Sequence, residues 1–230
     1  MMGLNSRLAL MQMADSALPT GAFSHSLGFE SYVDSGEIGG PEEFGAWLEM
    51  FVRAQLTATE AVIVREVYRL SEPVDMAEVI DLDDLATAAT LPAEVRRAGI
   101  TMGTRLLSLA AQSDPGPWLS PYAQAVEEGR AYGQQSVTWG LACRQWGIPE
   151  EEAVAVHLHA TVISLTQNAV RGVPLGQDAG QRIIASARDW VARAVAESAG
   201  LTREDLGAMP PGLEIAQMKH EAQRARMFMS

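Results

Sequence analysis

One cysteine, Cys143, and one lysine, Lys219, set the first limits on the chemistry open to this chain. A lone thiol cannot close a disulfide within the chain, which fits the reducing cytoplasm. Cys143 lies in WGLACRQWG between tryptophans, a setting for a buried thiol rather than a reactive one. The single lysine follows no glycine-rich loop, so the chain has no GxxxxGK(S/T) motif with which to hydrolyse nucleotide. Cysteine and histidine together number five and are scattered, too few and too spread for a structural zinc site. His157 and His159 are close in sequence, but residues two apart on a helix point about 200° apart and cannot clamp one metal ion. They read as core or interface histidines, one of which can line a wet cavity.

Positive charge is also scarce. Lys and Arg number 17 against 29 Asp and Glu, a net charge of −12, which argues against nucleic acid as a partner. Six acids and no base occupy Glu72 to Asp84, most simply a solvated face, with a docking surface for a basic partner as the sharper reading. The other end is locally basic: Lys219, Arg224 and Arg226 are opposed only by Glu221. Long apolar runs are nearly missing too. The start, MMGLNSRLALMQMADSALP, has too short a run, and an acid within it, for a signal peptide. The charge-free run Ala153–Val170 has about the length of a membrane span, but His157, His159, Gln167 and Asn168 mark it as a buried core helix.

Alternating β-branched runs are absent as well, and what is present is helical. The expected helices begin with Ser6–Ala14. Ser24 caps a second that carries Leu27, Phe29, Tyr32 and Val33. Pro41 opens a third, with a face of Phe44, Trp47, Leu48, Phe51, Val52 and Leu56. Thr59–Leu70 follows, and then a helix from an Asp75/Glu78 capping box. Ala93–Ala111 starts behind Pro92, and Ser120-Pro121 caps and opens the next. A helix covers Ala131–Trp146. Pro149 with Glu150, Glu151 and Glu152 starts the charge-free helix, where three carboxylates meet the favourable end of the macrodipole. Asp178–Ala199 comes next, and Thr202 with Asp205 caps a last segment broken by Pro210-Pro211-Gly212. The expected fold is all-α, a compact bundle of about nine or ten helices around one buried, charge-free helix, with residues 1–230 as one domain.

No self-contained active site emerges. Asp15, Ser16, Ser24, His25 and Ser26 have the residue types of a nucleophile triad, but no nucleophile-elbow pattern surrounds them. Carboxylate pairs such as Glu127/Glu128 sit on polar faces. The remaining signals belong to a protein that works by contact: Asn168–Gln181, NAVRGVPLGQDAGQ, where an arginine and a small polar loop follow the apolar helix, and a basic tail ending in Met227, Phe228 and Met229.

Three segments carry a resemblance. Residues 17–30, ALPTGAFSHSLGFE, resemble the ALPxGxFSxSxGLE opening of the urease accessory protein UreF family. Ala169-Val170-Arg171 with Pro174-Leu175-Gly176-Gln177 and Gln181 resembles its VRLxPLGQxxGQ segment, and Arg226–Ser230 its short RLFxS ending. Gly172 stands where a larger apolar residue is usual, His25 where tyrosine is common and Phe29 where leucine is common. The resemblance spans essentially the whole chain. It implies a cytoplasmic, non-enzymatic chaperone of nickel insertion that binds UreD (also called UreH). With it, the chaperone recruits the GTPase UreG to apo-urease. It implies an all-α, commonly dimeric protein without a cofactor of its own, with nickel handled by the complex and with neither nucleic acid nor membrane as partner.

Carried over residue by residue, the resemblance makes Arg171 a planar fork for a carboxylate or phosphate of the GTPase. Pro174, Leu175, Gly176, Gln177 and Gln181 offer backbone and amide groups to the same partner. Pro19 and Gly21 fix a turn, Ser24 caps, and His25 and Glu30 belong to the same recognition surface. Residues 213–230 form a partner-binding tail. In it His220, Arg224, Arg226, Met227 and Phe228 thread into a partner groove, with Phe228 as anchor and the arginines at the rim. Plain structural readings stand beside these: Arg171 as a helix-end charge, Gly176-Gln177 as a turn, the tail as a frayed terminus. An alternative function is a GTPase-activating protein with Arg171 as a finger supplied in trans. A small helical enzyme unrelated to urease is a third.

Overall fold

A computed structural model describes residues 3–207 and 210–230, and every regular element within them is helical. The α-helices are α1 (Leu4–Met13), α2 (Phe29–Asp34), α3 (Pro41–Met50), α4 (Glu60–Arg69), α5 (Met76–Ala89) and α6 (Ala93–Ser113), followed by α7 (Leu119–Glu127), α8 (Gln135–Gln145), α9 (Glu150–Gly172), α10 (Gln177–Ser198) and α11 (Pro211–His220). None of them is long and apolar enough to cross a membrane.

α9 starts where Pro149 and the three glutamates place it, and it packs against α10, α4 and α8. Ala153, Val154, Leu158, Val162, Leu165 and Ala169 turn into the core. The opposite face is not buried all round, as the charge-free run implies. Ala155, Val156, His159, Ala160 and Ile163 are only partly covered and line a groove with Val191 and Ala192 of α10. α3 buries the expected face, Phe44, Trp47 and Leu48, and continues through a π-helical stretch, Phe51–Leu56. That change of register turns Gln55 inward beside Phe51, Val52 and Leu56.

Several boundaries differ from the sequence reading for identifiable reasons. Ser24 does not cap a helix. It ends a 3₁₀ turn, Ala22–Ser24, and α2 begins only after Gly28 (φ +110°). Asp75 does cap α5, accepting from Ala77 N at 2.9 Å, but the Glu78 carboxylate takes the Ser71 N–H instead of closing the box. α7 begins at Leu119, before Ser120. α8 begins at Gln135 and not near Ala131, because Asp83 holds the chain ahead of it. Its carboxylate accepts the N–H groups of Tyr132, Gly133 and Gln134 and the Tyr122 hydroxyl. Asp83 is fully buried, so one of the six clustered acids is a structural anchor. Glu72, another, pairs with Arg144 at 3.0 Å. Thr202 and Asp205 form the expected capping box, and Pro211 opens α11 rather than breaking a helix.

Candidate functional site

The three segments that carry the resemblance meet at one end of α9. The first is the turn at Pro19–Glu30. Gly21 adopts φ +90°, the 3₁₀ turn follows, and Leu27 takes φ 49°, unusual for a branched side chain. Gly28 is required twice over, by its positive φ and because a Cβ there would stand 2.8 Å from Gln217 Cγ on α11. Two α9 side chains pin this turn. Asn168 Nδ2 donates to the carbonyls of Ala22 (3.0 Å) and His25 (2.8 Å). Arg171 Nη2 donates to Asn168 Oδ1 at 2.7 Å and to the Phe23 carbonyl.

The tail completes the site from the other side. The Ser230 carbonyl accepts from Ser26 N (2.6 Å) and Leu27 N (3.1 Å), and Met229 N donates to the Ser24 carbonyl at 2.7 Å. Ser230 Oγ lies 2.9 Å from His25 Nδ1. Phe228 is buried and meets Phe29 edge-on, with ring centroids 5.2 Å apart. A Cβ on Gly172 would approach Phe228 Cε2 to 3.0 Å, so the small residue at the end of α9 leaves the space that the ring fills. The tail expected to thread into a partner's groove is therefore seated in this chain's own body, and Phe228 anchors it there.

Two carboxylates hold the tail in place. Glu30 Oε1 accepts from Met227 N at 2.5 Å, and Glu30 Oε2 accepts from Phe228 N at 3.0 Å and faces His220 Nε2 at 2.8 Å. Glu94 Oε2 faces His220 Nδ1 at 2.6 Å, and its Oε1 accepts from Arg226 Nη1 at 2.7 Å. Thus His220 and Arg226, expected to face a partner, are engaged internally, while Arg224 is exposed and makes no ion pair among the described residues. Within α11, Gln217 Nε2 donates to the Leu27 carbonyl at 2.9 Å and to Gln55 Oε1 at 3.0 Å, which joins the π-helical stretch to the strained turn.

The loop after α9 is only partly drawn into this assembly. Leu175 is a core residue. Pro174, Gly176, Gln177 and Gln181 are exposed, Gly176 is the N-cap of α10, and Gln177 and Gln181 stand one turn apart on it. No hydrogen bond among the described residues links the two glutamines to Arg171. Pro19 is held through its carbonyl, which accepts from Arg105 Nε at 3.3 Å.

The histidines divide by environment. His25 and His157 line one partly open pocket of about 70 Å³ with Met13, Met102 and Trp139. Burial pushes His157 down to about 4 and lowers His25, which nearby Glu94 pulls partly back up. His159 faces the outer groove instead, lowered by burial and by Arg188. Cys143 is fully buried, and desolvation raises its thiol far from reactivity. Glu94 and Gln55 lie outside every segment that sequence reasoning singled out, while Asn168, Gln217 and Ser230 lie inside such segments without having been given a role of their own. Asn168 carried the clearest signal, because an amide closing an apolar run must find partners inside.

The UreF family model matches residues 38–188 of the chain. The chain is 57% identical to a protein of Kocuria rhizophila called urease accessory protein UreF, over 97% of this chain and 96% of that one. It is 51% identical to the protein of the same name from Corynebacterium efficiens, over 97% and 96% of the two chains. To that of Bacillus sp. strain TB-90 it is 36% identical, over 99% and 100%. A helical chain whose Arg171, turn 17–30 and terminal residues lock into one assembly, and whose likeness to these proteins runs nearly end to end, belongs to the UreF family of urease accessory proteins.

Proposed function

We propose that this chain is a cytoplasmic scaffold of urease maturation. It binds UreD/UreH through the face built by residues 17–30, Arg171 and the tail. With that partner it recruits the GTPase UreG to apo-urease for nickel insertion, and it works as a homodimer. The family is one of non-catalytic accessory proteins, and the chain takes part in urease maturation as one of them. Residues 1–230 act as one unit in this reading, with 213–230 as the partner-binding part. The observation that carries it is the convergence of the three segments on Arg171, Glu30 and Phe228. Pro174, Gly176, Gln177 and Gln181 extend the surface toward UreG.

Capture of UreD/UreH by the full chain, and its loss on removal of Lys219–Ser230 with helicity retained, is the expected result. Undiminished capture by the shortened chain would overturn the role of the tail.

A second reading has one observation in its favour. Only Nη2 of Arg171 is engaged within the described residues, so a fixed, exposed guanidinium keeps donors free for an anion. As a finger supplied in trans it would accelerate GTP hydrolysis by UreG roughly a thousandfold or more. The scaffold reading predicts no acceleration on adding the chain.

A further inference from the structure

Each ring nitrogen of His220 faces a carboxylate, and the two acids come from different helices. Glu30 at the start of α2 sets Oε2 2.8 Å from Nε2, and Glu94 at the start of α6 sets Oε2 2.6 Å from Nδ1. A ring nitrogen without a proton would turn its lone pair against a carboxylate at that distance. An ionised carboxylate only accepts, so both nitrogens must donate, and a neutral imidazole brings a single N–H. The arrangement therefore holds one proton more than neutral His220 supplies. Imidazole is more basic than a carboxylate, which places that proton on the ring.

The balance of charge gives the same count. The His220 side chain is 1% exposed, and those of Glu30 and Glu94 are 13% and 9% exposed. Charges so deeply set persist only when they are compensated. From the tail, Arg226 Nη1 reaches Glu94 Oε1 at 2.7 Å. Arg97 of α6 stands 4.0 Å from the same oxygen, but its side chain is 71% exposed. Lys219 and Glu221, on either side of His220, are exposed, and burial keeps nearby His25 neutral. Arg226 thus balances one of the two acids, and the His220 imidazolium balances the other.

The tail lies over this cluster and depends on it. Glu30 also accepts from Met227 N and Phe228 N. Beyond Arg226 the tail has a slight hold on the body: Phe228 and Ser230 turn in, while Met227 and Met229 turn out and are exposed. Three further backbone hydrogen bonds, at Ser24, Ser26 and Leu27, fasten its end. With the tail lifted away, Glu30, Glu94 and His220 meet water.

We infer that His220 is a proton-operated latch: the docked tail requires the imidazolium, and loss of that proton as pH rises releases the tail. In the released state the ring is hydrated and gives up its proton near the ordinary value of about 6.5. The docked state keeps the proton above that pH. The latch is therefore at full strength below about pH 6.5, and docking weakens as pH rises, by up to about tenfold per pH unit. The latch belongs to the chain alone and holds whether or not the scaffold reading does.

The test uses the full chain without any partner, labelled with ¹⁵N at histidine. At neutral pH both ring nitrogens of His220 should carry a proton. Protection factors of Ser26 and Leu27, whose N–H groups the Ser230 carbonyl holds, read tail docking with the intrinsic pH dependence of exchange divided out. Between about pH 6.5 and 8.5 they should fall tenfold or more, while buried amides of α9 stay protected. Glu94→Gln gives Nδ1 an amide that can donate, so the neutral ring fits and the fall should shrink to about threefold or less. His220→Gln should lower protection at pH 6.5 and leave it independent of pH. An unprotonated His220 nitrogen in the docked chain at neutral pH overturns the latch. So does protection of Ser26 and Leu27 that is constant over this range, or a wild-type pH dependence in either variant, which would place the titrating group elsewhere.

Discussion

Glu30 and His220 meet at 2.8 Å, and the same carboxylate receives the N–H groups of Met227 and Phe228. One acid at the start of α2 therefore fixes both the end of α11 and the extended tail beyond it. Removing it leaves Phe228 N and His220 Nε2 without their partner. Glu30→Ala is expected to weaken tail docking by about 1–3 kcal/mol, a rise in the undocked fraction of roughly five- to 150-fold. Limited proteolysis should then cut the chain after residue 221 while helicity is unchanged; a tail as resistant as in the wild type contradicts the role given to Glu30.

Asn168 has a different task, since its side chain closes the turn against α9. Asn168→Leu keeps the branching at Cγ but leaves the Ala22 and His25 carbonyls without their donor and frees Arg171 from Asn168 Oδ1. The expected cost is about 2 kcal/mol, or roughly 4–8 °C in Tm. Calorimetry checks it, and a Tm unchanged within a degree would show that the turn stands without this amide.

Gly172 leaves room for Phe228. A branched side chain there presses on the ring, so Gly172→Val should displace Phe228 at a cost of about 1–3 kcal/mol and expose Ser26 and Leu27 to exchange. Retained protection of those amides would mean that the ring has space to move.

His157 gives the fold a pH dependence of known sign. Its folded value, about 4, lies below the ordinary value of 6.5, because burial penalises the charged ring. The unfolded chain therefore takes up a proton first as pH falls below about 6.5, and stability drops until pH passes about 4. Between pH 7.5 and pH 5 this residue should account for about 2 kcal/mol of the loss. Urea denaturation of His157→Gln should show a smaller drop over that range; an identical drop would place the titrating group elsewhere.

The helices were legible because their signals are local. Pro149 with three glutamates, the Phe44–Leu56 face and the Thr202/Asp205 box each state their role within a few residues. Asp83 was not legible, because nothing local separates it from Asp81 or Asp84. Only the fold brings three backbone N–H groups and a tyrosine hydroxyl to it. Gln55 escaped for a related reason, as the π-helical register that turns it inward departs from the period of 3.6. At the site, the sequence identified the three segments but not their closure upon one another. Four alternating residues at a terminus are too short a pattern to tell a tail docked at home from one that reaches for a partner. Glu94, the acid that decides between them, lies 132 residues from Arg226.

The most direct test of the account is amide exchange mapped along this chain, first alone and then bound to UreD/UreH. The account predicts added protection in two places at once, Phe23–Leu27 and Met227–Ser230, with helices α5 and α7 unchanged. Protection confined to other surfaces, with both of these segments exchanging as in the free chain, would contradict it.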